Sequence, residues 1–384
     1  MANDSLISSI RDEIRREGPI SFARFMEQAL YHPEYGYYSS GRCTIGRRGD
    51  YFTSVSVGPI FGRLLAAQFS EIWERLGRPD EFVIVEQGAH HGEFASDVLE
   101  ALRAHAPQLF AAVRYRIVEP FPVLRRRQEG VLRQFAGQVE WAESLEEMPT
   151  FSGIHFSNEL IDAMPVRLIV SAEDGWLERC VERTSCGFTL VRRPISNPEL
   201  RARLTTIPVP RVDGYETEVN LAAVEWIKSL ARKLECGVVL IGDYGFSRAD
   251  YYAPSRRTGT LQSYAKHRLL NSPLEEVGES DLTTHVEWTS LAERAEECGL
   301  TIAGFTDQHH FLTGLLASRP ELASIGEKPQ ALQTLIHPEF LGTRFQFLGL
   351  TKKFPSGASL GGFRFAREPR AQLGLAPQPA AVQS

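Results

Sequence analysis

From residue 81 onward the chain alternates short apolar runs with amphipathic stretches, and this alternation constrains the fold more than any other feature. FVIVEQG, YRIVEP, a weaker VEWA, GIHFSNE and VVLIGDYG each read as a buried strand that ends in polar residues. EFASDVLEALRAHA, FPVLRRRQEGVLRQFA and NLAAVEWIKSLARKLEC lie between them and carry apolar residues at three- and four-residue steps. Strands that are apolar on both faces need cover on both faces, and intervening helices supply it. The pattern therefore predicts an α/β fold around a parallel sheet.

Two regions depart from the alternation. Between 166 and 217, RLIVS, GWLERCVERT and GFTLVRR read as antiparallel strands inserted between the fourth and fifth core strands. Residues 1–80 read as a helical N-terminal region. Gly18-Pro19 ends a first helix, SFARFMEQALY follows, and a third helix runs from about Gly58 to Leu76. Between the second and third lies HPEYGYYSSGRCTIGRRGDYFTS, dense in Gly, Tyr and Ser; loops of that length in a compact domain tend to cover a site. LTTHVEWTSLAERAEECGLTIAGFTDQHHFL reads as strand, helix, strand, helix, and FQFLGLTKK as a last strand antiparallel to the core. The domain expectation is 1–80, then 81–366, then a Pro/Ala/Gln-rich tail, 367–384, expected to be disordered.

Composition narrows the partners. With 42 basic against 48 acidic residues the net charge is -6, which argues against nucleic acid as the main partner. No run approaches the roughly 18 apolar residues of a membrane span. The cysteines Cys43, Cys180, Cys186, Cys236 and Cys298 form no CxxC pair, so neither a disulfide framework nor a thiolate zinc site is expected. The opening MANDSLISSIRDEIRREG lacks an apolar leader and places Leu6, Ile7, Ile10 and Ile14 at helical spacing. That predicts a packed helix and a cytoplasmic protein.

The cofactor reading rests on VIVEQGAHHGEF. Glu86 ends a strand, and Gly88 and Gly92 precede a helix, where a ligand can approach bare backbone and free N–H groups. The dinucleotide fingerprint would need further glycines where His90 and Glu93 stand. The pattern acid-x-G-x-G-x-G for S-adenosylmethionine is met at Glu86, Gly88 and Gly92, with His90 in place of the middle glycine. The next strand, YRIVEP, ends in Glu119, an acid placed to accept both hydroxyls of a ribose.

In their order along the chain, GPISFARFMEQALYHPEYGYY, GRRGDYFTSVSVGPIFG, IVEQGAHHG, YRIVEPFPVLRRRQ, FSNELIDAMPV, LIGDYG, GTLQSYAKH, DLTTHVEW and LGTRFQFL resemble the MidA family of class I methyltransferases, over about residues 18–350. The resemblance implies a Rossmann-like, seven-stranded methyltransferase sheet with a helical N-terminal extension and an inserted antiparallel β segment. It also implies S-adenosylmethionine as cofactor and a protein arginine as methyl acceptor, in a respiratory complex subunit. The chain departs from the family pattern at His90, where a glycine is expected, and at Val55, where a proline is expected. Partners are then a protein substrate, no nucleic acid and no membrane span, with a homodimer left open.

An arginine acceptor sets a chemical requirement. Its guanidinium stays charged, so carboxylates must orient and polarise it before a nitrogen can attack. SNELIDAMP, at the end of the fourth strand, offers Asn158, Glu159 and Asp162 as catalytic candidates. If the segment turned helically, Glu159 and Asp162 would share a face and could clamp the guanidinium; otherwise Asn158 caps a helix and the acids are first-turn dipole partners. GDYFTS is a candidate lid, with Asp50 and Thr53 as polar contacts to the cofactor. Asp243-Tyr244-Gly245 either flanks the pocket or turns the chain. His267, His285 and Asp307–His310 read as structural groups, and no metal site is expected. The alternative function is a methyltransferase-fold protein, weak or inactive, that binds a partner during complex assembly, because a ring at position 90 could occupy the cofactor's space.

Overall fold

The computed structural model of the chain describes residues 2–41, 54–208, 212–265, 268–320, 322, 329–355, 357 and 359–377. The apolar runs become the strands β1 (Phe82–Gln87), β2 (Val113–Val118), β3 (Val139–Ala142), β4 (Phe151–Asn158), β5 (Leu234–Phe246), β6 (Thr301–Asp307) and β7 (Phe345–Lys352). They lie in the order β6-β7-β5-β4-β1-β2-β3. Neighbours from β3 to β5 pair in parallel, and β7 runs antiparallel between β5 and β6. This is the seven-stranded sheet implied by the sequence, with its antiparallel strand where FQFLGLTKK predicted it. A short strand, Val286–Glu287, adds to the end of β5. Strand order reverses between β1 and β4, which opens a crevice at their carboxyl ends.

The helices that matter are α1 (Ala2–Glu17), α2 (Phe22–Tyr31), α3 (Ile60–Arg75), α4 (Glu93–His105), α5 (Pro122–Val131), α6 (Leu221–Lys233), α7 (Trp288–Glu297) and α8 (Gln308–Ser318). On one face of the sheet α3, α4 and α8 bury Phe61, Phe69, Phe94 and Phe311 against Phe156 and Phe347. On the other, α6 and α7 bury Trp226, Ile227 and Trp288 against Val239 and Leu348. Both faces are covered, as the continuous apolar runs require. At one point the strands approach so closely that only glycine fits. Gly153 on β4 has φ of 145°, and an added Cβ would lie 2.1 Å from the Val83 carbonyl oxygen.

Several helix starts carry a side-chain cap. Asn220 accepts from the Ala223 N–H before α6, and Asp307 accepts from the His310 N–H before α8. Before α4 the cap is Gly92, left-handed at φ 90° and without a side-chain hydrogen bond, and Glu93 and Phe94 of the first turn line the crevice.

The inserted segment forms Arg167–Ala172, Gly175–Arg183 and Phe188–Pro194, antiparallel, with Glu216–Val219 on its far side. Ile20–Ser21 joins this second sheet against Cys180–Val181. Through it α1 and α2 pack Leu6, Ile10, Ile14 and Phe25 against Leu168 and Val181. The N-terminal region is thus fastened to the insertion. Part of the tail expected to be disordered is ordered. Pro369–Gln372 makes a helical turn capped by Glu368, and Leu373 is buried, its carbonyl accepting from Thr289 Oγ1. A composition averaged over the tail hides the one leucine that anchors it. Among the described residues no helix is long and apolar enough to cross a membrane.

Candidate functional site

The crevice between β1 and β4 holds a cavity of about 580 Å³, within the range of small-molecule sites. Its floor is the turn after β1, from Glu86 to Glu93. Glu119 to Leu124 form one wall and Asn158 to Pro165 the opposite one, while Tyr31 and Tyr38 close the top.

The turn takes the left-handed backbone three times, at Gly88 (φ 84°), His90 (φ 47°) and Gly92 (φ 90°). Glycine does this at no steric cost; histidine does it with strain. The His90 ring lines the cavity and stacks on His91 with centroids 3.7 Å apart. His90, His91 and Glu93 place ligand-type atoms within 4.8 Å of one another. Yet Arg127 Nη1 sits 2.8 Å from His91 Nε2 and can only donate to it, and stacked rings do not converge their lone pairs.

The two strand-end acids are both buried. Glu86, 4% exposed, accepts from Tyr115 Oη at 2.7 Å; burial pushes its carboxyl up to about 8 in spite of that bond. Glu119, 6% exposed, accepts from the Phe121 N–H at 3.0 Å and from Gln128 Nε2 at 2.8 Å; burial still pushes it up to about 7. A donor-rich ligand at Glu119 would restore its ionised form.

Across the cavity the segment after β4 does not turn helically. Glu159 has φ of 52°, which no helix interior permits, so the shared helical face expected for Glu159 and Asp162 does not form. Glu159 lines the cavity, and its Oε1 accepts from Asn158 Nδ2 at 2.8 Å. Asp162, 5% exposed, lies behind the lining; one oxygen accepts from Tyr244 Oη, and the other has no side-chain partner among the described residues. Asp243, wholly buried at the end of β5, accepts from the N–H groups of Ile161 and Asp162 and so fixes the turn. Burial, and then the neighbouring Asp162, push Glu159 and Asp243 well above the carboxylate range; burial takes Asp162 to about 6. None of Glu159, Asp162 and Asp243 makes an ion pair among the described residues. A fourth acid, Asp281, accepts from Tyr38 Oη at 2.7 Å and adds to the negative field at Glu159.

Of the site residues expected from sequence, Glu86, Gly88, His90, Glu119, Asn158 and Glu159 line this one cavity; Gly92 caps α4 at its edge and Asp162 stands behind. Asp50, Thr53 and His267 lie outside the described residues. Asp307 caps α8 and also accepts from His310 Nδ1, while His309 Nδ1 contacts the Ile336 carbonyl, which accounts for that histidine pair structurally. His285 stacks on Phe246 beside Tyr244, and burial lowers it to about 4. Sequence reasoning missed Tyr31, Tyr38, Tyr115, Gln128 and Asp281 as parts of the site. For Gln128 a signal existed, as the last residue of YRIVEPFPVLRRRQ.

A family profile described as "Putative S-adenosyl-L-methionine-dependent methyltransferase" matches residues 64–306. The chain is 27% identical over 379 residues to the mitochondrial protein arginine methyltransferase NDUFAF7 homolog of Drosophila melanogaster, covering 90% of this chain and 84% of that one. It is 25% identical to the mitochondrial protein arginine methyltransferase NDUFAF7 of Homo sapiens, covering 88% and 81%. A Burkholderia thailandensis protein crystallised with S-adenosyl-homocysteine superposes with a TM-score of 0.85 at 32% identity, over 95% of this chain and 96% of that one. The curated relatives are mitochondrial proteins, and this overturns the expected cytoplasmic location. That expectation took MANDSLISSIRDEIRREG, with acids among its basic residues and no apolar leader, for neither a secretory nor a transit peptide.

Proposed function

Because this chain belongs to that S-adenosyl-L-methionine-dependent methyltransferase family, we propose that it methylates an arginine side chain of a protein substrate. The cavity fits the cofactor. The left-handed turn leaves backbone and the uncapped α4 terminus open to a ligand. Glu86 and Glu119 stand where its nucleoside would meet them, and Glu119 would hold the ribose. When bound, S-adenosyl-L-methionine supplies a methyl group on a sulfonium, to be displaced in line by a nitrogen lone pair.

The single observation that carries the arginine reading is the acidic wall opposite. Among the described residues Glu159, Asp162 and Asp243 make no ion pair, and each carboxyl is held above its ordinary range. Buried charge of one sign calls for a counterion, and a guanidinium supplies a positive charge with a fork of N–H donors. Glu159 would accept from the guanidinium inside the cavity, with Asn158 fixing one of its oxygens. This localises charge and aims one nitrogen along the transfer line. Glu159 would take the proton that the methylated nitrogen releases, and Asp162, bonded to Tyr244 behind it and raised to about 6, is suited to receive it in turn. Tyr31 and Tyr38 would pack on the aliphatic stem.

The acceptor would be an arginine of a respiratory complex subunit, a reading that has its support in the family resemblance. The test is methyl transfer from radiolabelled S-adenosyl-L-methionine to an unmethylated respiratory complex preparation, followed by amino-acid analysis. Label in methylarginine is the expected result. Label confined to lysine or to carboxyl groups would overturn the arginine reading.

A further inference from the structure

Gln128 plays no part in the chemistry above, yet it is wholly buried and makes three hydrogen bonds to three different segments. Its Nε2 donates to Glu119 Oε2 at 2.8 Å and to the His90 carbonyl at 2.8 Å. Its Oε1 accepts from Trp141 Nε1 at 2.9 Å. The amide can face only one way. Trp141 can only donate, whereas an ionised Glu119 and the carbonyl can only accept. One side chain on α5 therefore ties the acid after β2, the left-handed turn after β1, and β3. The same residue lies beside the turn, since an added Cβ on Gly92 would lie 3.4 Å from its Cα and 3.5 Å from its Cβ.

We propose that Gln128 is the positioning residue of the nucleoside site, holding Glu119 so that its two oxygens present one acceptor each to the vicinal hydroxyls of an adenosine ribose. The count of lone pairs supports this. Each carboxylate oxygen has two acceptor positions. Oε1 spends one on the Phe121 N–H and Oε2 spends one on Gln128. One position remains on each oxygen, which matches a diol and no single donor. The bond to the His90 carbonyl sets the turn against that carboxylate, so floor and wall move together. The inference rests on the placement of the ribose at Glu119, and it names the group that makes that placement work.

The experiment is calorimetric titration of the full chain. S-adenosyl-L-methionine reads affinity, and 5′-methylthioadenosine, which has no ionisable amino-acid part, reads pH dependence. In the unaltered chain affinity for the nucleoside should rise with pH through about 7, where Glu119 ionises. Gln128→Met should lower affinity for S-adenosyl-L-methionine about 10- to 100-fold and move that midpoint to higher pH. Gln128→Glu keeps the side chain's length but sets a second carboxyl against Glu119, which should weaken binding and move the midpoint further up in pH. Binding within about twofold of the unaltered chain, or an unmoved midpoint, would each overturn the proposal. If thermal unfolding shows that Gln128→Met does not fold, Trp141→Phe removes only the bond that orients the amide. It should cost about threefold with the same upward shift, and unaltered binding there overturns the proposal equally. Glu119→Ala separates the two ideas: if it leaves affinity unchanged the ribose placement itself fails, and if it weakens binding while the Gln128 variants do not, only the positioning role fails.

Discussion

Asp162→Asn should make the protein more stable while depriving it of activity. The reason is the uncompensated wall. Burial takes this carboxyl from its ordinary 3.8 up to about 6. At about 1.4 kcal/mol per pH unit, that is about 3 kcal/mol against the ionised form in the fold. Halving the figure for relaxation around the charge leaves about 1.5 kcal/mol, or about 2 °C in Tm for a chain of this length. The amide keeps an oxygen for Tyr244 and carries no charge against Glu159 and Asp243. The sign with pH follows from the raised value. Well below pH 4, Asp162 is protonated whether the chain is folded or not, and the substitution gains nothing. As pH rises from about 4 to about 6, the folded state alone resists ionisation, so the cost grows; it is complete by about pH 8. The assay is thermal unfolding of both proteins at about pH 4.5 and about pH 8, alongside methyl transfer, which should drop about 100-fold. Destabilisation at the higher pH, or an equal gain at both, would show that the carboxyl is not held against its own charge and would refute the reasoning.

Other expectations follow from the same geometry. Glu119→Ala should weaken S-adenosyl-L-methionine binding by about 1–3 kcal/mol in calorimetry, and unchanged affinity would place the cofactor elsewhere. Glu159→Gln should lower kcat by more than it weakens cofactor binding, because its partner is the acceptor; equal losses would make it a cofactor or folding residue. His90→Gly should relieve a strained left-handed residue and tighten cofactor binding modestly, and no change would show that the His90 side chain does not face the bound cofactor. Gly153→Ala should cost about 3 kcal/mol or more in chemical denaturation, since the new Cβ meets the Val83 backbone; a cost near zero would mean that β1 and β4 separate freely.

The sheet was legible because its strands are buried on both faces, so FVIVEQG, GIHFSNE and VVLIGDYG carry their signal in unbroken apolar runs. The turn was legible for a related reason: glycines at Gly88 and Gly92 report the backbone conformation there directly, and that conformation proves left-handed. What could not be read were contacts between distant segments. Tyr38 meets Asp281, Ile20–Ser21 pairs with Cys180–Val181, and Tyr115 turns from β2 to Glu86; no local pattern announces any of these. Glu159 and Asp162 were paired by a helical spacing that the left-handed Glu159 rules out. They are near each other because Asp243 ties down the turn from the next strand. Gln128 lay inside a recognised motif, yet its role appears only when α5 brings it over both Glu119 and the glycine turn.

If the cleft between β1 and β4 takes S-adenosyl-L-methionine with its ribose on Glu119, titration of the full chain with that compound should show saturable binding at one site per chain, clearly weakened in the Glu119→Ala variant. No detectable heat up to millimolar ligand, or equal binding by both proteins, would show that the ribose does not sit there.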